Sequence, residues 1–245
     1  MKFASLKETV RFLENQGELV RISDPVDPDL EMAEITRQVF DAQGPAILFE
    51  NVKNSLFPAL SNLMGTWERT VKIFEPQLTR VKAFVRAASD PGKAMRSIET
   101  CLQAFPAGVN ALPIPTRSPK AAMHQCRISD LPMIRCWPDD GGAFILLPQV
   151  FSFHPDHPSL FRSNLGMYRV QISGNDYTPD EQIGMHYQIH RGIGIHHKAA
   201  LDKGERLKVS IFIGGPPAHT LAAVMPLPEN MPEIAFAGAL AGRNF

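Results

Sequence analysis

The sequence predicts an α+β protein in which an N-terminal α/β unit, residues 1–115, precedes a strand-rich part, residues 116–245. In the first part, helical periodicity alternates with short strand patterns, as is typical of an α/β unit. From about Cys126 onward, strand-like segments separated by glycine or proline dominate, which favours a barrel or a sandwich. The proline-rich stretch from Phe105 to Lys120 lacks periodicity and predicts a connecting segment.

The first unit contains two helix signals and two strand signals. Ser5 and Glu8 form a capping-box pattern, and Gly17 is a plausible stop for the helix that follows them. In chain order, the predicted elements are a helix over residues 5–16, a strand from Glu18 to Ile22, a helix from Asp27 to Gly44 and a buried strand from Ala46 to Phe49.

The second part contains four strand signals and two short helix signals. The strands are predicted over Ala143–Leu147, Met167–Ser173, Met185–His190 and Leu207–Ile213, and the helices over Pro216–Met225 and Pro232–Leu240. The strand from Leu207 is expected to be buried and to run into a turn at Gly214 and Gly215. Such a turn presents backbone N–H groups to an anion in some proteins, although it is usually only a tight turn.

Composition excludes several classes of protein. Hydrophobic residues make up 44% of the chain and charged residues 20%, which is ordinary for a packed globular protein. The 25 basic and 25 acidic residues cancel, so the basic surface that binds nucleic acid is not expected. We find no signal-peptide pattern and no apolar run long enough to span a bilayer. Three widely spaced cysteines without a CxxC pair fit buried thiols in the cytoplasm.

The segment around Arg169 is the most informative one. If Met167–Ser173 is a strand, Tyr168 faces one side and Arg169 the other. An arginine on the inner face of a barrel is costly unless it meets an anion, and guanidinium geometry suits a carboxylate or a phosphate. The alternative, favoured by this segment alone, is that Arg169 lies on a wet outer face.

A histidine-rich segment follows, residues 184–197. Strand alternation places His186, Gln188 and His190 on one face, and imidazole is a good ligand for a divalent transition metal. The glycines after His190, at positions 192 and 194, predict a flexible turn. The remaining histidines are interpreted as structural; they are His124, His154, His157, His196, His197 and His219.

Glu233 completes a candidate set of metal ligands. It follows Pro232 in the first turn of a predicted helix, where it either interacts with the helix dipole or turns inward as an oxygen ligand. Together, Asn164, His190 and Glu233 would suit magnesium or manganese bridging to a phosphate. Sequence spacing does not establish that the three converge.

These segments together resemble the UbiD-like decarboxylase family. The resemblance rests on Asn-Leu-Gly-Met-Tyr-Arg at 164–169, His-Arg-Gly at 190–192, Ile-Gly-Gly at 213–215 and Glu-Ile-Ala-Phe-Ala-Gly at 233–238. The opening residues, 3–22, and residues 130–148 are similar to the family as well. The resemblance therefore covers essentially the whole chain.

The resemblance implies a fold, cofactors and partners. Residues 116–245 would form part of a flavin-reductase-like split β-barrel that is incomplete at the C-terminus. The cofactors would be prenylated FMN, Mn²⁺ or Mg²⁺ bridging its phosphate, and K⁺ nearby. The implied partners are a flavin prenyltransferase that supplies the cofactor and either further copies of the chain or a second chain that completes the barrel.

The resemblance also assigns roles to individual residues. Asn164, His190 and Glu233 match the divalent-metal ligands, and Arg169 matches the arginine that positions the substrate carboxylate. The residues that match flavin contacts are Met167, Tyr168, Arg169, His186, Tyr187, Gln188, Arg191 and Gly192.

Three features depart from the family pattern. Residues 173–182 make a longer turn than in some members, and His186 stands where an arginine is often found. The chain also lacks the Glu-Gly-Pro-Phe-Gly-Glu-like motif that supplies the proton-donating acid. The expected function is decarboxylation of an aromatic or α,β-unsaturated acid, with a 4-hydroxybenzoate-type substrate of the ubiquinone pathway as one option. The alternatives are a non-catalytic flavin- and metal-binding subunit, an inactive fragment, or an FMN-dependent reductase.

Overall fold

The computed structural model of the protein describes residues 3–90, 92, 96–114, 124–227 and 231–245. These residues form a mixed helix and sheet structure, and the predicted domain boundary at residues 115 and 116 lies outside them. The described helices are α1 (Leu6–Asn15), α2 (Glu31–Asp41), α3 (Trp67–Ser89), α4 (Ile98–Asn110), α5 (Gly192–Asp202), α6 (Pro217–Ala222) and α7 (Glu233–Ala241). The described strands are β1 (Leu19–Ile22), β2 (Ala46–Phe49), β3 (Ala59–Ser61), β4 (Phe144–Ile145), β5 (Gln149–Phe153), β6 (Ser163–Met167), β7 (Arg169–Gln171), β8 (Gly184–His186) and β9 (Val209–Phe212).

The first sheet has the order β1-β2-β3, with β1 parallel and β3 antiparallel to β2. The predictions of α1, β1 and β2 are confirmed, and Ser5 Oγ caps α1 by accepting from the Glu8 N–H. Helix α2 begins four residues later than predicted. The delay arises because Leu30 adopts a positive φ of 67° and its N–H donates to the Arg135 carbonyl, outside the helix.

Helices α3 and α4 correct the sequence prediction. The long helix α3 was not predicted, and α4 replaces the first six residues of the expected connecting segment. Pro106 lies inside α4, next to Phe105, which is 71% exposed. The hydrogen bond that Pro106 removes would go to the carbonyl of Leu102, whose residue is 70% exposed, so the carbonyl lies on a part of the helix near solvent, where the loss is tolerated.

The second part contains two antiparallel sheets, with the orders β4-β7-β8 and β6-β5-β9. Among the described residues these sheets do not close into a barrel. The predicted strand Met167–Ser173 is divided between β6 and β7. The predicted strand Met185–His190 ends at His186, so the expected alternation to His190 is wrong, because residues 187–191 turn into α5. Strand β9 is largely exposed, not buried as expected.

Helix α7 lies at the centre of the largest apolar cluster, and every residue from Ala235 to Ala241 is buried. It packs against α3, α4, α6 and β6. Gly238 approaches α4 so closely that a Cβ atom there would lie 2.2 Å from the Asn110 carbonyl oxygen. This packing fixes the position of Glu233, the first residue of the helix.

All three cysteines are at least partly accessible to solvent. Cys101 and Cys126 are exposed and Cys136 is half-buried, so the expectation of buried thiols is wrong. In the part of the chain that the structure describes, no helix combines the length and the apolar character that crossing a bilayer requires.

Candidate functional site

The amide of Asn164 lies at the centre of the candidate site. Asn164 is on β6 and is 6% exposed. Its Oδ1 atom accepts from the Tyr168 hydroxyl at 3.2 Å, and that hydroxyl accepts from the Ile193 N–H at 3.3 Å. Within the described residues, the Asn164 Nδ2 atom is buried without a partner. A buried polar atom in this condition is a place where a ligand group fits.

Glu233 turns inward from the start of α7 towards β6. Its Oε2 atom accepts from the N–H of Leu165 at 3.1 Å, so its carboxylate lies beside the residue that follows Asn164. Burial raises the pKa of Glu233 above its ordinary value. No lysine, arginine or histidine of the described chain forms an ion pair with it. The structure thus brings two of the three predicted metal ligands together.

The N-terminus of α5 closes the site from a third side. A Cβ atom at Gly192 would lie 2.1 Å from Asn164 Oδ1, so only glycine fits this approach. The glycines at 192 and 194, expected in a flexible turn, lie instead in the first turn of α5. His190 and Arg191 precede this turn and are both exposed. His190 is therefore close to the site in sequence, with its imidazole facing solvent.

Arg169 lies on the solvent-exposed face of the β4-β7-β8 sheet. This is the outer-face alternative that the sequence of its own segment favoured. It pairs across the strands with His186, and its side chain is 59% exposed. Arg169 Nη2 donates to Asp140 Oδ1 at 2.7 Å, and the guanidinium lies over the Phe144 ring. Neither partner was predicted from the sequence, although the Asp-Asp-Gly-Gly run at 139–142 is a visible turn signal.

Tyr168 and Tyr187 serve interactions that the sequence did not predict. The Tyr168 ring is buried on the opposite side of the strand from Arg169, and burial raises the pKa of its phenol.

The Tyr187 hydroxyl contacts Nδ1 of His197, a residue that the sequence led us to interpret as structural. Tyr187 and His197 line a cavity of about 270 Å³, together with Ile193. Gln188 is exposed, and Met167 is half-buried at the end of β6.

The donor set suits a hard divalent cation. An amide oxygen and a carboxylate are oxygen ligands that Mg²⁺ and Mn²⁺ prefer, and a neutral imidazole is acceptable to Mn²⁺. The described residues contain no group of three or more His, Cys, Asp or Glu side chains that could hold a metal ion. The candidate set of Asn164, His190 and Glu233 differs from such a group, because one of its three ligands is the amide of Asn164. A half-buried carboxylate without a counterion among the described residues, beside the Oδ1 oxygen of Asn164, fits such a cation.

Comparisons with known proteins identify the family. Residues 111–245 match the 3-octaprenyl-4-hydroxybenzoate carboxy-lyase Rift-related domain, and residues 10–88 match the N-terminal domain of the same enzyme. The chain is 36% identical over 241 residues to a Chlamydia pneumoniae protein that is named as a subunit of 4-hydroxybenzoate decarboxylase. That alignment includes 97% of this chain and 40% of the relative. The chain therefore spans about 40% of the length of this curated relative.

Solved structures show the same fold. The vanillic acid decarboxylase of Sedimentibacter hydroxybenzoicus in its closed form matches with a TM-score of 0.75 and 22% identity, over 98% of this chain and 49% of that one. An evolved dimeric form of HmfF, a UbiD-class enzyme from Pelotomaculum thermopropionicum in complex with prFMN, matches with a TM-score of 0.73 and 23% identity, over 99% of this chain and 52% of that one. The two family-model matches together with this fold show that the chain belongs to the UbiD-like decarboxylase family.

Proposed function

We propose that the chain takes part in the non-oxidative decarboxylation of an aromatic or α,β-unsaturated carboxylic acid, with prenylated FMN and a divalent metal as cofactors. Its family consists of carboxy-lyases, and one relative is named for 4-hydroxybenzoate. A structure of similar fold holds prFMN. A 4-hydroxybenzoate-type acid is therefore the first substrate to test.

The observation that carries this proposal is the meeting of β6, α5 and α7 around Asn164. Asn164 and Glu233 supply oxygen atoms there, and Gly192 allows the helix N-terminus to come close. In the proposal these residues and His190 hold Mn²⁺ or Mg²⁺, with K⁺ nearby. In the same proposal the N-terminus of α5 and the guanidinium of Arg191 face the phosphate of the cofactor, because a helix N-terminus and an arginine both favour anions.

The remaining assignments extend from the metal along the strands. The β4-β7-β8 and β6-β5-β9 sheets together would form the split β-barrel, with residues 1–115 and 116–245 as the two domains. The proposed flavin contacts are Met167, Tyr168, Arg169, His186, Tyr187, Gln188, Arg191 and Gly192. Further proposals are a cytoplasmic location, supply of the cofactor by a flavin prenyltransferase, and assembly with further copies or with a second chain.

Arg169 is the residue of this chain that would act on the substrate. Loss of CO₂ from an unsaturated carbon leaves a carbanion that side chains do not delocalise, and prenylated FMN supplies the electron sink when it is bound. Arg169 would bind the carboxylate and hold it in a reactive orientation. Proton delivery to the carbanion needs a general acid, a role that the proposal assigns to none of the residues named above.

A second candidate function follows from the name of a relative. The relative from Chlamydia pneumoniae is named as a subunit of a decarboxylase. The alternative is therefore a flavin- and metal-binding subunit that does not turn over substrate by itself.

One experiment separates these functions. The chain is produced together with a flavin prenyltransferase, purified with Mn²⁺, and assayed for CO₂ release from cinnamic and hydroxybenzoic acids. We expect release that disappears in Arg169→Ala and persists in Arg162→Ala, which removes an exposed arginine outside the site. Bound flavin and manganese without CO₂ release would favour the binding subunit. Oxidation of a nicotinamide cofactor would instead indicate the FMN-dependent reductase and contradict both.

A further inference from the structure

Arg169 is held from two sides although most of its side chain is exposed. Its Nη2 atom donates to Asp140 Oδ1 at 2.7 Å, and its guanidinium carbon lies 4.0 Å from the centroid of the Phe144 ring. The Asp140 side chain is 12% exposed and Phe144 is 9% exposed, so both partners are fixed. The other N–H groups of Arg169 have no partner among the described residues.

The carboxylate of Asp140 is itself oriented by a turn, Trp137–Asp140. The Trp137 N–H donates to Asp140 Oδ2 at 3.2 Å, and the Asp140 N–H donates to the Trp137 carbonyl at 3.1 Å. Each carboxylate oxygen therefore has its own partner, one in the turn and one on Arg169. A carboxylate fixed in this way presents a single direction to the guanidinium.

This turn is anchored on both flanks. On its N-terminal side, Arg135 makes a bidentate ion pair with Asp29, at 2.6 and 2.9 Å, and donates to the Pro138 carbonyl at 2.9 Å. On its C-terminal side, the Ala143 N–H donates to Ser173 Oγ at 2.8 Å. The anchoring contacts come from the first unit and from the segment after β7, so the turn is tied to two separate parts of the fold.

We propose that Asp140 and Phe144 are positioning residues for Arg169. A free arginine side chain carries rotamer entropy, part of which is lost when it binds an anion. Holding the side chain in advance reduces this loss. A guanidinium has five N–H donors, and Asp140 engages one nitrogen, which leaves the others for a second carboxylate.

The positioning is independent of any ligand. Only the identity of the second carboxylate, that of the substrate, rests on the proposed function. The positioning of Arg169 and its binding of a substrate carboxylate are therefore measured separately, and the measurement of positioning requires neither cofactor nor turnover.

The test is rotation of the Arg169 guanidinium about its Nε–Cζ bond, measured by NMR line shapes in the full chain labelled with ¹⁵N-arginine. The Arg169 signal is identified by its loss in Arg169→Lys. We expect the rotation rate to rise about tenfold in Asp140→Asn, which keeps the shape but removes the charge. A smaller increase is expected in Phe144→Leu, which keeps the burial but removes the aromatic ring.

The matched control is Asp139→Asn. Asp139 is the exposed neighbour of Asp140 in the same turn, and it makes no contact with Arg169 among the described residues. Its variant is expected to rotate at the wild-type rate. An unchanged rate in both Asp140→Asn and Phe144→Leu, or an equal increase in Asp139→Asn, would overturn the proposal.

Sodium benzoate added to the same samples tests the proposed function separately. If wild-type Arg169 rotates slowly but its signal does not respond to benzoate, the positioning is supported and carboxylate binding by this residue is contradicted. If wild-type Arg169 rotates freely, the positioning is overturned, whatever benzoate does.

Discussion

Glu233 shows at the scale of one residue how the site is built at a cost in stability. Its side chain is half-buried beside β6 and accepts one hydrogen bond from the Leu165 backbone, yet no cationic side chain of the described chain forms an ion pair with it. Burying a charge without a partner is unfavourable, and natural proteins accept such costs mainly at functional sites. A bound cation would offset the cost.

Glu233→Gln should have opposite effects on stability in the absence and in the presence of metal. Without metal, the glutamine keeps the acceptor for Leu165 and removes a half-buried charge, so the melting temperature should stay the same or rise. With Mn²⁺, the wild-type protein should be stabilised by about 2.7 kcal/mol at a concentration about 100 times the dissociation constant, and the variant should lose most of this gain. Thermal unfolding in EDTA and in MnCl₂ measures both.

The control for this prediction is Glu181→Gln, which removes an exposed carboxylate in a loop. Its response to Mn²⁺ should equal that of the wild type. An Mn²⁺ response of Glu233→Gln as large as the wild-type response would rule out Glu233 as a ligand.

At the scale of the elements, the sequence predicted best where a pattern is local. The strand Ala46–Phe49 and the short helices after Pro216 and Pro232 were located because apolar runs and proline starts are read without knowing the fold. Helix α5 was missed because its first turn contains two glycines, and glycine is a poor helix former. Packing against Asn164 and Tyr168 overrides that propensity.

The candidate site was predictable in residue type and not in arrangement. Glu233 reaches β6 only because α7 is buried on all sides, and that packing involves residues far apart in sequence. His190 is exposed because it lies in the turn before α5, and Asp140 contacts Arg169 because of the path of the loop that contains Asp140. Both paths depend on the tertiary structure. Resemblance named the candidate ligands, whereas only the structure gave the contact between Glu233 and the residue after Asn164.

Two helical glycines provide a prediction at this scale. A Cβ atom at Gly238 would lie 2.2 Å from the Asn110 carbonyl oxygen, whereas one at Gly108 would meet the Phe84 ring at an ordinary 3.8 Å. Gly238→Ala should therefore destabilise the protein by about 1–3 kcal/mol through overpacking. Gly108→Ala, the matched control, should stabilise it by about 0.5 kcal/mol through helix propensity. Urea unfolding measures both, and a stabilising Gly238→Ala would contradict the close approach of α7 and α4.

At the scale of the whole molecule, one buried and one half-buried histidine, His196 and His219, make stability depend on pH. His196 interacts with Ser152 Oγ, and His219 packs edge-on against Phe245. Burial lowers the pKa of each to about 4, from an ordinary value of 6.5. Between these values the unfolded chain binds protons that the folded chain does not, so stability falls as the pH falls.

We therefore expect the free energy of unfolding to decrease between about pH 6.5 and about pH 4, by at most about 1.4 kcal/mol per pH unit for each histidine. Below that window the two groups are protonated in both states and contribute no further change. His219→Phe keeps an aromatic ring against Phe245 and should reduce the slope to roughly the share of His196. Urea titrations at intervals of pH measure the slope, and equal slopes in variant and wild type would contradict this assignment.

The central position of α7 has a consequence for synthesis of the protein. Its residues share one apolar cluster with Leu13 of α1 and Phe74 of α3, so that cluster is incomplete until Leu240 has left the ribosome. At a translation rate of about 5–20 residues per second, roughly ten to fifty seconds pass between the synthesis of Leu13 and that of the α7 residues that pack in the same cluster. During that interval the nascent chain exposes the apolar residues of α3 and α4 that belong to this cluster, a condition that favours aggregation.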